Sequence, residues 1–257
     1  MVMEERSTKS EGASKLDLLR AALIPKFGIV GVDNLIAALA DAVDEDFHHR
    51  CQWSNCTKCN LHKTRARVVY GSGPSNASVL VIGEAPGAEE DQKGVPFSGP
   101  TGTFLRETME RIGIPSSKVF FTNSVACIPR NTQHSHFRAP TSEEMTACQP
   151  RLNNILESVT IQREVTLLVG KPGYVSYVCR KAPDEIEHML KRVRMMDILG
   201  WQDIDSDVIP SYVIYHPSYI MRRNDRTTTQ KWVDSLKVLK KYLEERHAKR
   251  QSSSNQE

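Results

Sequence analysis

No window of this 257-residue chain approaches the roughly 18 consecutive apolar residues that a membrane-spanning helix needs. The opening stretch, MVMEERSTKSEGASK, also lacks the apolar centre of a signal peptide. The chain is therefore expected to be intracellular, cytoplasmic and free of any membrane partner. A large excess of one charge is missing too: 34 Lys and Arg against 31 Asp and Glu leave +3. That balance is too mild to announce a nucleic-acid or membrane-surface binder from composition alone. Internal repeats are absent, and the length suits one substantial domain with an extension. Six cysteines remain to be explained. In a reducing compartment they read better as metal or cluster ligands than as disulfides.

Along the chain, residues 1–48 read as a helical extension with a disordered start. Ser14 and Asp33 stand where two short helices would be capped. Residues 49–246 read as the main domain. It holds four apolar, β-rich runs: Ser78–Ile82, Val119–Thr122, Val165–Val169 and Tyr212–Tyr215. Helical stretches such as 102–112 and 142–156 lie between them. Short apolar strands alternating with helices predict a parallel or mixed sheet covered on both faces, with the second strand a candidate edge. Arg222 to Arg250 contains ten Lys and Arg against four Asp and Glu, on a helix expected over 230–246. Most of those cations read as a solvated face, and residues 247–257 as a disordered tail.

Cys56 and Cys59 form a C-x-x-C pair, with Cys127 and Cys148 far downstream. Two close thiols and two remote ones can wrap zinc or an iron–sulfur cluster; spacing leans mildly to the cluster without deciding. Cys51 and Cys179 read as ordinary thiols.

The strand ends carry the most unusual residues. The first runs into Gly83-Glu84-Ala85-Pro86-Gly87-Ala88-Glu89-Glu90-Asp91, then Gly94-Val95-Pro96-Phe97-Ser98-Gly99. Such a loop brings backbone amides near a ligand. It lacks the Gly-Lys-Ser/Thr ending of a phosphate-binding loop, and its four acids would repel phosphate. The second strand ends in Thr122-Asn123-Ser124-Val125, and the fourth in Tyr215-His216-Pro217-Ser218-Tyr219-Ile220-Met221-Arg222.

In order, C-x-x-C-x-L, V-V-Y-G-x-G, GEAPGAEED, G-V-P-F-S-G, T-N-S-V and H-P-S-Y-I-M-R resemble the family 4, iron–sulfur uracil-DNA glycosylases. The likeness covers roughly residues 56–246. It implies an α/β fold, a three-layer α/β/α sandwich on a four-stranded parallel sheet. It also implies a [4Fe-4S] cluster on Cys56, Cys59, Cys127 and Cys148, structural in that family and fixing loops near DNA. The implied activity is a monofunctional glycosylase of DNA repair. It flips uracil out of single- or double-stranded DNA and hydrolyses its N-glycosidic bond, with no lyase step. A monomer is expected.

The resemblance also distributes roles. Phe97 would stack on the flipped base, and Asn123 would read its N3–H and O4, with Gly83 and Ala85 beside it. His216 would stabilise charge developing on O2. Glu84 and Glu90 are both candidates for orienting water, and Glu90 also for walling off a thymine methyl. Ser218, Ile220, Met221 and Arg222 would meet DNA, with Ile220 or Met221 as a wedge and Arg222 and Arg223 on phosphates. Glu89 and Asp91 read as solvated or helix-N-terminal acids.

Two departures qualify this. The stretch from Cys127 to Cys148 is longer than the family form and contains His134 and His136. A related branch carries a histidine hereabouts that bonds covalently to the abasic sugar. Residues 171–207 also diverge, which bears on substrate preference more than on fold. A non-catalytic or covalently trapping binder of uracil or a modified pyrimidine in DNA is therefore the alternative.

Overall fold

The computed structural model describes residues 52–74, 76–131, 137–157, 163–204 and 209–254. The two expected N-terminal helices, Cys51, His134 and His136 lie outside the described residues.

Four strands form where the apolar runs predict them: β1 (Val79–Gly83), β2 (Val119–Asn123), β3 (Val165–Val169) and, after a shorter β4 (Gly200–Gln202), β5 (Ser211–Ile214). The sheet order is β2-β1-β3-β5-β4. The first four of these are mutually parallel, whereas β4 runs antiparallel to β5. The expected four-stranded sheet thus has a fifth strand. Three residues, Gly-Trp-Gln, are too few to register as a periodic pattern. Their place is set by Trp201, whose ring packs 4.9 Å from that of Tyr212 and 4.7 Å from that of Tyr242.

All residues of β1, β2 and β3 are buried, and alternate side chains enter two different cores. Val79, Val81, Phe121, Leu167 and Ile214 pack on one face. They meet Leu105 and Met109 of α2 (Pro100–Arg111) and Trp232, Leu236 and Leu239 of α8 (Arg226–Ser254). Leu80, Ile82, Phe120 and Val213 face the other way, against Leu152 and Ile155 of α3 (Ser142–Glu157) and Tyr177 of α4 (Gly170–Val178). The result is helix, sheet, helix. The short helices α1 (Ala88–Lys93), α5 (Ile186–Arg192), α6 (Met195–Ile198) and α7 (Pro217–Arg223) lie in the connections between these elements.

β2 is an edge of the sheet. Its outer side is met by Ser72, which exchanges backbone hydrogen bonds with Phe121 at 2.9 and 2.8 Å. The last helix also differs from expectation, continuing past Arg246 to Ser254 through what reads as a tail. Buried Glu164, just before β3, accounts for the extension. It accepts from Arg250 at 2.9 Å and lies 3.3 Å from His247, which anchors successive turns. No described helix is long and apolar enough to cross a membrane.

Candidate active site

Parallel strands deliver their C-terminal ends to one edge of the sheet, where ligand-binding loops collect. Here the ends of β1, β2 and β5 surround a cleft of about 650 Å³ that Glu84, Phe97, Asn123 and His216 line together. Gly83 and Asn123 are the last register partners of β1 and β2. That pairing sets the cleft floor. A Cβ on Gly83 would stand 2.4 Å from Asn123 Oδ1 and 2.6 Å from Phe97 Cζ, so only glycine lets both side chains close over the strand.

Phe97 is 7% exposed and sits at φ +55°, a left-handed conformation that a residue with a bulky side chain rarely adopts. Its surroundings over-determine that geometry. Gly102 passes so close that a Cβ there would be 2.3 Å from Phe97 Cα. Arg106 of α2 donates to the carbonyls of Phe97 (3.0 Å) and Pro96 (2.9 Å), and its guanidinium lies 3.7 Å from the centre of the Phe121 ring. The Phe97 and Phe121 rings are 5.3 Å apart. Phe97 therefore belongs both to the core and to the cleft wall.

Glu90 is buried with both carboxylate oxygens engaged. Oε1 accepts from the Gly99 amide at 2.8 Å and Oε2 from the Gly87 amide at 3.1 Å. This one side chain ties the two glycine-bearing loops together. Glu84 is half-buried and has no such partners among the described residues; burial raises its pKa above the usual carboxylate value, while Arg222 opposes the rise.

His216 caps the first turn of α7, and Tyr215 before it is held by a 3.0 Å bond from the Trp232 indole to its carbonyl. The Ser218 amide donates to His216 Nδ1 at 3.3 Å, and Ser218 Oγ lies 2.8 Å from the same nitrogen. An Nδ1 that accepts leaves the proton on Nε2. Burial, with help from Arg222, pushes the imidazole pKa down to about 4. At neutral pH the ring is an uncharged hydrogen-bond donor beside the cleft.

A second cavity lies behind β2, lined by Cys56, Cys59, Cys127 and Cys148 from three separate parts of the chain. Lys58, Arg65 and Arg151 line it as well, and among the described residues no carboxylate does. Burial raises the Cys59 thiol and pushes Cys127 up to about 12, although Arg65 Nη1 lies 3.4 Å from the Cys127 sulfur. An all-sulfur donor set with a cationic surround suits a thiophilic, net-anionic group. Among the described residues, no three His, Cys, Asp or Glu are grouped tightly enough for a single metal ion.

Residues 70–240 match the sequence model of the Uracil DNA glycosylase superfamily. The chain belongs to the uracil-DNA glycosylase superfamily. Its relatives include a type-4 uracil-DNA glycosylase of Pyrobaculum aerophilum, 34% identical over 66% of this chain and 81% of the relative. A type-4 uracil-DNA glycosylase of Thermotoga maritima is 31% identical over 73% and 89% respectively. One of Archaeoglobus fulgidus is 41% identical over 41% of this chain and 50% of that protein.

Within this superfamily member, the expected site residues divide clearly. Glu84, Ala85, Glu90, Phe97, Asn123, His216, Ser218 and Arg222 all border the cleft, and Gly83 lies under it. Of the two wedge candidates, Ile220 is 1% exposed and packed into the core, whereas Met221 is 42% exposed. Glu89 is solvated and paired with Lys93, as expected. Asp91 stands in the first turn of α1, as one of its two expected readings has it, but is not solvated. It is buried, accepting from the Ala66 amide at 2.9 Å and Arg130 at 3.3 Å, and so ties α1 to the segment after Cys59. Sequence reasoning missed Arg106 and Arg151, because an arginine within a helical stretch ordinarily reads as a solvated face. It also passed over Arg138, which grips Glu144 with both nitrogens at 2.8 and 2.6 Å and lines the cleft beside exposed Phe137.

Proposed function

We propose that the protein is a monofunctional DNA repair glycosylase that removes uracil from DNA and leaves an abasic site. The observation that carries this reading is the joint placement of Asn123, Phe97, Glu84 and His216 around one cleft. Uracil flipped into it stacks on Phe97, while the Asn123 amide pairs with N3–H and O4. Cytosine presents the reversed donor and acceptor and leaves buried groups unpaired, at about 1–3 kcal/mol.

The reaction breaks the bond between the sugar C1′ and uracil N1, and the bonding electrons leave with the base as an anion. Nε2–H of neutral His216 donates to O2, where that charge collects. Water attacks C1′ and passes its proton to a carboxylate. We assign that role to Glu84: it is half-buried with a raised pKa, whereas both oxygens of Glu90 are taken by backbone amides. Glu90 is then a positioning residue. Met221, exposed on α7, fills the gap left in the duplex, and Arg222 sits beside the cleft for phosphate. The substrate is uracil-containing DNA, single- or double-stranded, and the enzyme acts as a cytoplasmic monomer.

We infer that Cys56, Cys59, Cys127 and Cys148 hold a [4Fe-4S] cluster. The four sulfurs and the surrounding cations support it, and a polynuclear cluster spreads its thiolates wider than a single ion does. When bound, the group supplies structural cross-linking of the cysteine segments rather than a reactive centre. A visible absorbance band of the purified protein, lost in Cys127→Ala, is the expected result; an equal band in the variant would refute the ligand set.

The deciding experiment is incubation with a uracil-containing oligonucleotide followed by alkaline cleavage, with hypoxanthine, xanthine and hydroxymethyluracil in parallel. Strand breaks at uracil are expected, falling by about two orders of magnitude or more in Asn123→Ala. Intact strands with the wild-type protein would sink the enzymatic reading. A denaturant-resistant adduct would favour the trapping alternative.

A further inference from the structure

Arg151 follows Cys148 by three positions on α3, so the two share a helix face. The side chain is 1% exposed and walls the four-cysteine cavity. Among the described residues no carboxylate forms an ion pair with it. Its forked nitrogens reach across to the end of β2 and the segment beside it. Nη1 donates to the Tyr70 carbonyl at 2.9 Å and to Thr122 Oγ1 at 2.7 Å. Nη2 donates to the carbonyls of Asn123 and Ser124. Only Nε–H is left, buried and without a hydrogen-bond partner among the described residues.

A cation removed from water costs several kcal/mol unless charge or dipoles compensate it. Four carbonyl and hydroxyl acceptors supply part of that. The remainder, including one buried donor, lies next to four sulfurs that become anionic on binding a metal group. The two sites share no lining residue; the fork walls the cysteine cavity and reaches the cleft only through the backbone carbonyl of Asn123.

We propose that Arg151 is a positioning residue that couples the cysteine-held group to base recognition. It is the buried counter-charge of that group and, through one guanidinium, the clamp on the Asn123 and Ser124 carbonyls. This rests on reading the four cysteines as cluster ligands and Asn123 as the base reader. Loss of the group leaves Arg151 an uncompensated buried cation. The fork then relaxes, and the Asn123 amide loses its orientation although no cysteine touches the base.

The test uses full-length, cluster-loaded protein and the variants Arg151→Met and Arg151→Lys, with midpoint potential and free-uracil affinity as readouts. Arg151→Met removes a positive charge, so electron uptake is harder and the potential moves negative. It also weakens uracil binding about tenfold. Arg151→Lys holds the potential near that of the wild type but loses uracil affinity, because an ammonium cannot hold both carbonyls. In case the variants do not fold, the wild type is stripped of its cluster by oxidation and chelation. The backbone amide resonances of Asn123 and Ser124 are then expected to shift.

Wild-type potential and affinity in Arg151→Met would overturn the coupling alone, as would unmoved Asn123 and Ser124 resonances on cluster removal. A wild-type protein with no visible band would overturn the cluster reading and the coupling with it.

Discussion

Replacing His216 with alanine is expected to lower the single-turnover excision rate by two to three orders of magnitude, roughly the value of one donor aimed at a developing oxyanion. Which nitrogen carries the proton decides the effect. Nδ1 is committed to Ser218, so Nε2–H is the donor that the cleft receives. The ring need not be charged to act, and a pKa near 4 keeps it uncharged through the working range. The sign of the pH dependence follows. His216 is already neutral above pH 4, so it contributes no acid limb at ordinary pH. Glu84 must be ionised to take a proton, and its pKa is raised by burial. Activity should therefore rise with pH through a midpoint above the usual carboxylate value. Arg222 holds that midpoint down, so Arg222→Met should move it upward. For folding, the lowered His216 pKa contributes stability that is complete above the unfolded value of about 6.5. That contribution is lost as pH falls towards 4. An unchanged rate in His216→Ala, measured by rapid quench with enzyme in saturating excess over DNA, would remove the histidine from the mechanism.

The second large effect comes from a single methyl group. Gly83→Ala puts a Cβ 2.4 Å from Asn123 Oδ1 and 2.6 Å from the Phe97 ring. The strand cannot yield easily, because the Gly83 carbonyl accepts from the Ser124 amide at 2.9 Å and from Ser124 Oγ at 2.8 Å. The side chains must move instead, so both the base reader and the stacking ring leave their places together. Misplacement on the ångström scale costs on the order of a hundredfold in rate. Overpacking of this kind costs about 1–3 kcal/mol of stability. Excision rates and urea midpoints measured together separate the two. A variant that folds and keeps full activity would show that the close approach of Asn123 and Phe97 is dispensable.

Much of this site was legible before any coordinates. The apolar runs of β1, β2, β3 and β5 announce buried strands, and the polar residues just beyond them mark the loops where chemistry gathers. The likeness in motif order then supplies roles. What escapes such reading is partnership. Glu90 looks as free as Glu84 in the sequence, yet two backbone amides saturate it. Asp91 is the helix-N-terminal acid that its position suggests, but nothing local shows that it is also buried against Ala66 and Arg130. Ile220 and Met221 are neighbours in a seven-residue helix, and only the packing of α7 decides which one meets solvent. Arg106 and Arg151 follow ordinary helical spacing, and nothing local distinguishes a buried guanidinium from a solvated one. β4 is three residues long, below the span at which alternation carries information.

The backbone bridge between Ser72 and Phe121 matters beyond the register it sets. Val-Phe-Phe-Thr-Asn is an apolar, uncharged edge, the kind of strand that pairs with another molecule when left open. Here the chain itself meets that edge at Ser72, in the segment that follows the Cys56 and Cys59 pair. The segment that follows the cysteine pair therefore doubles as a guard against self-association. Damage to it would put the protein at risk of clumping before it put the sheet at risk of unfolding.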